Sequence, residues 1–255
     1  MTSPAPLATV APQARPVSHR TRIARPADRV LVALDTTDLA QAARLGERLR
    51  PQVGGFKIGK EFFTRLGPQG VATALQGAPF FLDLKFHDIP NTVAGALRSA
   101  AALGPFMVNV HASGGPAMLK AAAAAVAEGA PRPLLIAVTV LTSLDDADLA
   151  AVGQQGPAEA QVLRLARLAQ DCGLDGVVAS PREIAALRAA CGPDFTLVIP
   201  GVRPAWAAAG DQKRVMTPAE ALGAGADYLV IGRPITGDAD PAAAARRVAE
   251  ELAGA

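Results

Sequence analysis

The chain has 255 residues, half of them hydrophobic, 19% charged and only 4% aromatic. This composition excludes an intrinsically disordered chain and calls for a core of small aliphatic side chains, while the length fits one large domain or two smaller ones joined by a linker. The formal net charge is +2, and it is unevenly distributed.

The first 27 residues carry Arg15, Arg20, Arg22 and Arg25, five prolines and no acid. Setting them aside turns the net +2 into −2, so the remainder is slightly acidic and its net charge gives no pull toward nucleic acid. With few large apolar residues to offset its ordering entropy, residues 1–27 are expected to be a disordered tail. An acid-free, Arg-rich leader also resembles an organelle transit peptide, but a Pro-rich segment makes a poor amphipathic helix.

From there the chain repeats one unit. Short aliphatic runs at residues 29–35, 54–59, 80–85, 106–112, 134–140, 176–180, 195–201 and 228–233 read as eight strands. Each is nearly continuously hydrophobic, as expected of parallel strands buried on both faces. Ala/Leu-rich helical segments lie between them. Ser180-Pro181-Arg182-Glu183 and Thr217-Pro218-Ala219-Glu220 each combine a hydroxyl N-cap, Pro at the first helical position and Glu at the third, and Asp240-Pro241 opens the last helix similarly. Eight strand-helix units without a linker predict an α/β fold, a (β/α)8 TIM barrel forming a single domain over residues 28–255. The runner-up, a doubly wound open sheet, lacks a G-x-G-x-x-G turn after its first strand.

In such a barrel the chemistry belongs at the C-terminal ends of the strands. Strand one ends in Asp35, strand two carries Lys57, strand three ends in Asp83-Leu84-Lys85, strand four in Asn109 and His111, and strand eight in Gly232-Arg233. Positions i and i+2 share a face, so Asp83 and Lys85 are expected to point together, within reach of Lys57, with Asp88 following in the loop. A self-satisfied ion-pair network is the bland alternative, but barrel interiors are usually filled by branched aliphatics. The connections 141–157 and 202–217 are unusually long. The second holds Arg203, Gln212, Lys213 and Arg214, suiting a lid over an anion. Gly232 and Arg233 lie where barrels commonly grip phosphate. The site should therefore bind a phosphorylated small molecule and move a proton.

Other features are quieter. His87 and His111 lack metal-ligand spacing and read as structural, so no metal is expected. Cys172 and Cys191 have no C-x-x-C partner and read as small apolar fillers in a thiol-reducing cytoplasm. The longest uncharged stretch, residues 99–119, contains Gly104-Pro105 and Gly114-Gly115-Pro116, which would break a membrane helix.

The run Phe81-Leu82-Asp83-Leu84-Lys85-Phe86-His87-Asp88-Ile89-Pro90-Asn91-Thr92 resembles the signature of the orotidine 5′-phosphate decarboxylase family. The likeness extends from Val30 to about Pro241 through Ala33-Leu34-Asp35, Lys57-Ile58-Gly59-Lys60, His111-Ala112-Ser113-Gly114-Gly115, Leu141-Thr142-Ser143, Pro200-Gly201-Val202-Arg203-Pro204, Asp211-Gln212 and Ile231-Gly232-Arg233-Pro234. The resemblance implies decarboxylation of orotidine monophosphate to uridine monophosphate, the last step of pyrimidine nucleotide synthesis, with neither metal nor organic cofactor. It makes Lys85 the proton donor to C6, sets Asp83 beside the substrate carboxylate, has Lys57 bridge Asp83 and the ribose, and gives the ribose hydroxyls to Asp35. Asp88 and Thr92 are implied to enter from a second subunit, making a homodimer with shared sites. Thr142 would touch the pyrimidine, and Arg203, Gln212, Gly232 and Arg233 would hold the phosphate. Three alternatives stay open at this point: a Schiff-base aldolase, a catalytically silent phosphometabolite-binding protein, and a metal-dependent sugar-phosphate decarboxylase sharing D-x-K-x-x-D.

Overall fold

The computed structural model describes residues 22–207 and 216–254. Eight strands, β1 (Val30–Ala33), β2 (Gly55–Gly59), β3 (Phe80–Phe86), β4 (Met107–His111), β5 (Leu134–Val138), β6 (Gly176–Val178), β7 (Thr196–Pro200) and β8 (Tyr228–Ile231), close in chain order into a barrel. Every pairing is parallel, including β8 with β1. Each strand begins and ends within two residues of its aliphatic run. The helices α1 (Leu39–Leu49), α2 (Lys60–Leu75), α3 (Pro90–Ala101), α4 (Gly115–Ala127), α5 (Asp146–Ala151), α6 (Ala158–Asp171), α7 (Ile184–Cys191), α8 (Pro218–Gly223), α9 (Arg233–Thr236) and α10 (Pro241–Ala253) fill the connections. The fold is the expected (β/α)8 barrel.

The helix starts follow their local chemistry. Thr217 Oγ1 accepts from the Glu220 N–H at 3.2 Å while Glu220 accepts from the Thr217 N–H at 2.8 Å, closing a capping box ahead of α8. Ser180 and Glu183 pair the same way, around a 3-10 turn that leads into α7. Asp240 caps α10 through the N–H groups of Ala242 and Ala243. The long 141–157 connection is not wholly irregular. It contains α5, capped by Asp145.

Period-2 alternation sorts the strands into two cores. Val30, Val32, Phe56, Ile58, Leu82, Val108, Val110, Leu197 and Ile199 face the helices. Leu31, Ala33, Phe81, Met107, Ile136, Val198, Tyr228 and Val230 fill the lower interior of the barrel. Lys57, Asp83 and Asn109 alternate with the helix-facing residues of β2, β3 and β4, so they continue the interior set one layer higher. Aliphatic packing at the bottom thus gives way to charge at the C-terminal mouth. Both cysteines are free and buried against the helix-side core, and burial pushes both thiols up, consistent with apolar fillers.

Residues 22–27, counted with the leader on composition, belong to the packed body. The Arg22 guanidinium lies 4.3 Å from the centre of the Phe106 ring, Ile23 packs on the interior cluster, and Ala27 is buried in a turn that Arg25 and Asp28 hold together. Local composition missed these contacts because their partners, such as Phe106, are distant in sequence. Residues 1–21, the rest of the expected tail, lie outside the described residues.

Candidate active site

The mouth between β1 and β4 holds an alternating row of charges. Lys57 Nζ donates to Asp35 Oδ1 at 3.0 Å and stands 3.6 Å from Asp83 Oδ2, while Lys85 Nζ donates to Asp83 Oδ1 at 2.5 Å. Asp83 is only 7% exposed. Burial alone would raise its pKa, but Lys57, Lys85 and the hydrogen bonds from Lys85 and Asn109 together hold the carboxyl below the usual carboxylate range. It is therefore a buried, ionised group shared between two ammonium groups.

Two local features make the row possible. Gly59 ends β2, and a Cβ there would stand 2.9 Å from Lys57 Nζ and 3.3 Å from Asp35 Oδ1, so a side chain would crowd the pair. On β3 the pairing with β4 advances from Leu82↔Val108 to Phe86↔Val110, four residues against two. Lys85 sits in this irregularity with φ 53°, a left-handed conformation that non-glycine residues rarely adopt. The expectation that regular pleating alone aligns Asp83 with Lys85 needs correction. They do meet, but across a bulge.

The other expected site residues divide. Asp88 is exposed, and its carboxylate accepts from the neighbouring Ile89 N–H at 2.6 Å; among the described residues it forms no ion pair. Thr92, in the first turn of α3, is exposed as well. Neither joins the charged row within one chain, and Ile89 between them is 66% exposed. On the opposite half of the mouth, a cleft of about 1420 Å³ is walled by the loops after β5, β6 and β7, with Thr142, Leu144, Ser180, Gly201 and Met216 among its lining. Arg203 begins the 202–217 connection, and its N–H donates to the Met216 carbonyl at 3.1 Å, tying the two ends of that loop together. Gln212, Lys213 and Arg214 lie outside the described residues. Gly232 follows β8 as the N-cap of α9, and Arg233 opens α9 with its side chain exposed at the same rim.

Two polar residues of β4 complete the neighbourhood. His111 has its ring centre 5.4 Å from that of His87. Burial first, then His87, Lys60 and Lys85, push its pKa down to about 4 against the opposing pull of Asp83, so it is neutral at pH 7. Asn109 was legible only as a polar residue in an apolar run. Its amide in fact donates to Asp83 Oδ1 at 2.7 Å and accepts from the Lys85 backbone N–H at 2.8 Å.

Comparison with known proteins agrees with this geometry. Residues 28–248 match the family model described as "Orotidine 5'-phosphate decarboxylase / HUMPS family". A protein of Moorella thermoacetica named orotidine 5′-phosphate decarboxylase is 60% identical over 232 residues, covering 88% of this chain and 92% of its own. One of the same name from Paramagnetospirillum magneticum is 57% identical, covering 88% and 97%. The crystal structure of orotidine 5′-phosphate decarboxylase from Lactobacillus acidophilus superposes with a TM-score of 0.78 at 39% identity, covering 88% of this chain and 98% of that one. With its barrel, its charged row and these relatives in agreement, the chain belongs to the orotidine 5′-phosphate decarboxylase / HUMPS family.

Proposed function

We propose that this chain converts orotidine 5′-monophosphate to uridine 5′-monophosphate and CO2, the closing step of pyrimidine nucleotide synthesis. The observation that carries this reading is the row Asp35, Lys57, Asp83, Lys85 at the barrel mouth, in a chain whose relatives are named for that activity. Loss of CO2 breaks the bond from C6 to the carboxylate carbon and leaves the electron pair on C6, in the ring plane and out of conjugation. Fixed charge must therefore stabilise it. The Lys85 ammonium faces the developing carbanion and then gives C6 its proton, after which the amine is reprotonated from solvent. The Asp83 carboxylate lies against the departing carboxylate, whose charge disappears as CO2 forms. No metal or organic cofactor enters a step.

Lys57 bridges Asp83 and the ribose, Asp35 takes the ribose hydroxyls, and Thr142 contacts the pyrimidine. Arg203, Gln212, Gly232 and Arg233 bind the phosphate. Because the phosphate is remote from C6, its binding energy helps the reaction only by drawing the 202–217 loop closed. The Arg203–Met216 hydrogen bond at the base of that loop supports this role. Asp88 and Thr92 act in the site of a second subunit, so the enzyme is a homodimer with two shared sites. The exposure of Asp88, Ile89 and Thr92, and the lack of an ion pair for Asp88 among the described residues, support this arrangement. The substrate is a free mononucleotide, with neither nucleic acid nor membrane as partner. Among the described residues no helix is long and apolar enough to cross a membrane, and the free, buried cysteines suit a reducing cytoplasm.

The test follows the loss of orotidine monophosphate absorbance with purified protein in the presence of a chelator. Turnover without added metal is expected. An unchanged spectrum, or turnover that returns only with a divalent cation, would overturn the reading.

A further inference from the structure

Asn109 is the only amide in the run Phe106–Val110 and is completely buried. A buried amide left unpaired would lose its hydration with nothing in return. Here both ends are used, and both bind β3: the NH2 donates to Asp83 Oδ1 at 2.7 Å, and the carbonyl oxygen accepts from the backbone N–H of Lys85 at 2.8 Å. That second bond coincides with an irregular backbone. Of the described residues only Gln76 and Lys85 combine a side chain with positive φ. Gln76 is the left-handed residue that ends a helix, an ordinary place for this conformation. Lys85 is inside a strand, where the left-handed conformation is strained and persists only if its surroundings hold it.

The register explains the need. Between Leu82 and Phe86 the β3–β4 ladder is interrupted, so the Lys85 N–H lies outside the regular pairing. The Asn109 carbonyl oxygen provides the acceptor. The same side chain fixes the carboxylate that pairs with the ammonium end of that lysine. One amide therefore grips the Lys85 main chain and, through Asp83, its Nζ.

We propose that Asn109 is a positioning residue for the decarboxylation: it holds Lys85 in its left-handed kink and orients Asp83, so that the ammonium and the carboxylate are set before substrate arrives. An amide suits both tasks, since a carboxylate here would oppose Asp83, and an aliphatic side chain would leave the Lys85 N–H without its acceptor and take one of the donors from Asp83. The role acts on the reacting end of the nucleotide. Ribose and phosphate contacts are made elsewhere, and misplacing a catalytic group by about 1 Å is enough to cost on the order of 100-fold in rate.

The inference rests on the functional reading above, and its test separates the two. The full-length protein is compared as wild type, Asn109→Ala and Asn109→Ser, with Arg188→Ala as a variant weakened at the opposite end of the barrel. Turnover is expressed per nucleotide-binding site, counted by calorimetric titration with uridine monophosphate, so that misfolded protein does not lower kcat. Asn109→Ala is expected to lose about 100-fold in kcat, with KM and uridine monophosphate affinity within about threefold of wild type. Arg188→Ala should keep its kcat per site even if it melts earlier. Backbone hydrogen exchange at Lys85 should accelerate in the Asn109 variants and stay slow in Arg188→Ala. If Asn109→Ala does not fold, Asn109→Ser, whose single, shorter hydroxyl cannot replace both contacts of the amide, is expected to show the same split. A kcat per site within threefold of wild type in either Asn109 variant, or unaltered exchange at Lys85, would overturn the proposal. A wild-type protein inert toward orotidine monophosphate would instead overturn the functional reading and the catalytic half of this one, leaving Lys85 exchange to decide the structural contact.

Discussion

The two ends of the barrel both carry buried or half-buried ion pairs, and they are built differently. At the bottom, Asp175 and Asp227 each stand one residue before a strand. Asp175 pairs with Arg132 at 2.9 Å and accepts from the Leu135 N–H of the neighbouring strand at 2.7 Å. Asp227 pairs with Arg188 at 2.8 Å and accepts from the Leu197 N–H at 2.9 Å. Arg188 also donates to the carbonyls of Gly192, Phe195 and Gly225. These are clamps in which each arginine meets its own carboxylate and backbone groups take up other donors and acceptors. At the top, one buried carboxylate serves two lysines and an amide, and the lysine nearest to it is held in a left-handed backbone. An ion pair closed on its own neighbours stabilises the fold. A shared, strained one keeps charge available to a substrate.

Substitutions should separate the two ends, the top in rate and the bottom in stability. The largest effect is expected for Lys85→Ala, which removes the proposed proton donor together with its charge. Turnover should fall at least ~10⁴-fold while uridine monophosphate still binds. Measurable wild-type turnover in that variant would end the catalytic assignment. If the proposed shared-site dimer holds, mixing Asp88→Ala with Lys85→Ala subunits should recover one working site in each mixed dimer, the one that combines an intact Lys85 with an intact Asp88. Absence of recovered activity after subunit exchange would place Asp88 in its own chain's site.

At the bottom, Arg188→Ala removes the guanidinium that binds Asp227 and the carbonyls of Gly192, Phe195 and Gly225, and should cost about 3 kcal/mol of stability. Urea unfolding would measure this, and an equal loss of kcat per site would erase the contrast between the ends. A smaller effect follows from His111. Its folded pKa of about 4 lies below the ordinary 6.5, so the unfolded chain binds the extra proton between these values. Stability is therefore fully present above about pH 6.5 and declines as pH falls toward 4, by at most about 3 kcal/mol because solvent screens a ring that is only partly buried. His111→Gln should flatten that slope in thermal melts; an unaltered slope would assign it to other groups. The smallest effect is expected from truncation. Removing residues 1–21 should leave both kcat/KM and Tm unchanged, whereas extending the deletion through Ala27 should lower Tm by a few degrees through loss of the Arg22–Phe106 contact and the buried Ala27. Equal melting of the two truncations would make residues 22–27 dispensable.

Much of this is legible in the sequence. Parallel strands buried on both faces must be nearly all aliphatic, so Lys57, Asp83, Lys85 and Asn109 stood out as exceptions at strand ends. The capping boxes at Ser180 and Thr217 also read correctly, because they join groups three residues apart. Features that join distant segments were not legible. Residues 22–27 looked like leader because Phe106 is about 80 positions away, and the Arg132–Asp175 and Arg188–Asp227 clamps span 43 and 39 residues. Their only local trace is a Gly-x-Asp before β6 and β8.

The sequence by itself determined the strands, their caps, the class of fold and the identities of the charged residues, since each of these is a property of short-range periodicity or of side-chain chemistry. Only the tertiary structure decided which charges share partners. Closing the barrel sets β3 against β4 with an irregular register, and that register puts Lys85 at φ 53° with its N–H on Asn109. Registers and bulges arise from the match between strands remote in sequence, and no local pattern within Asp83-Leu84-Lys85 encodes them.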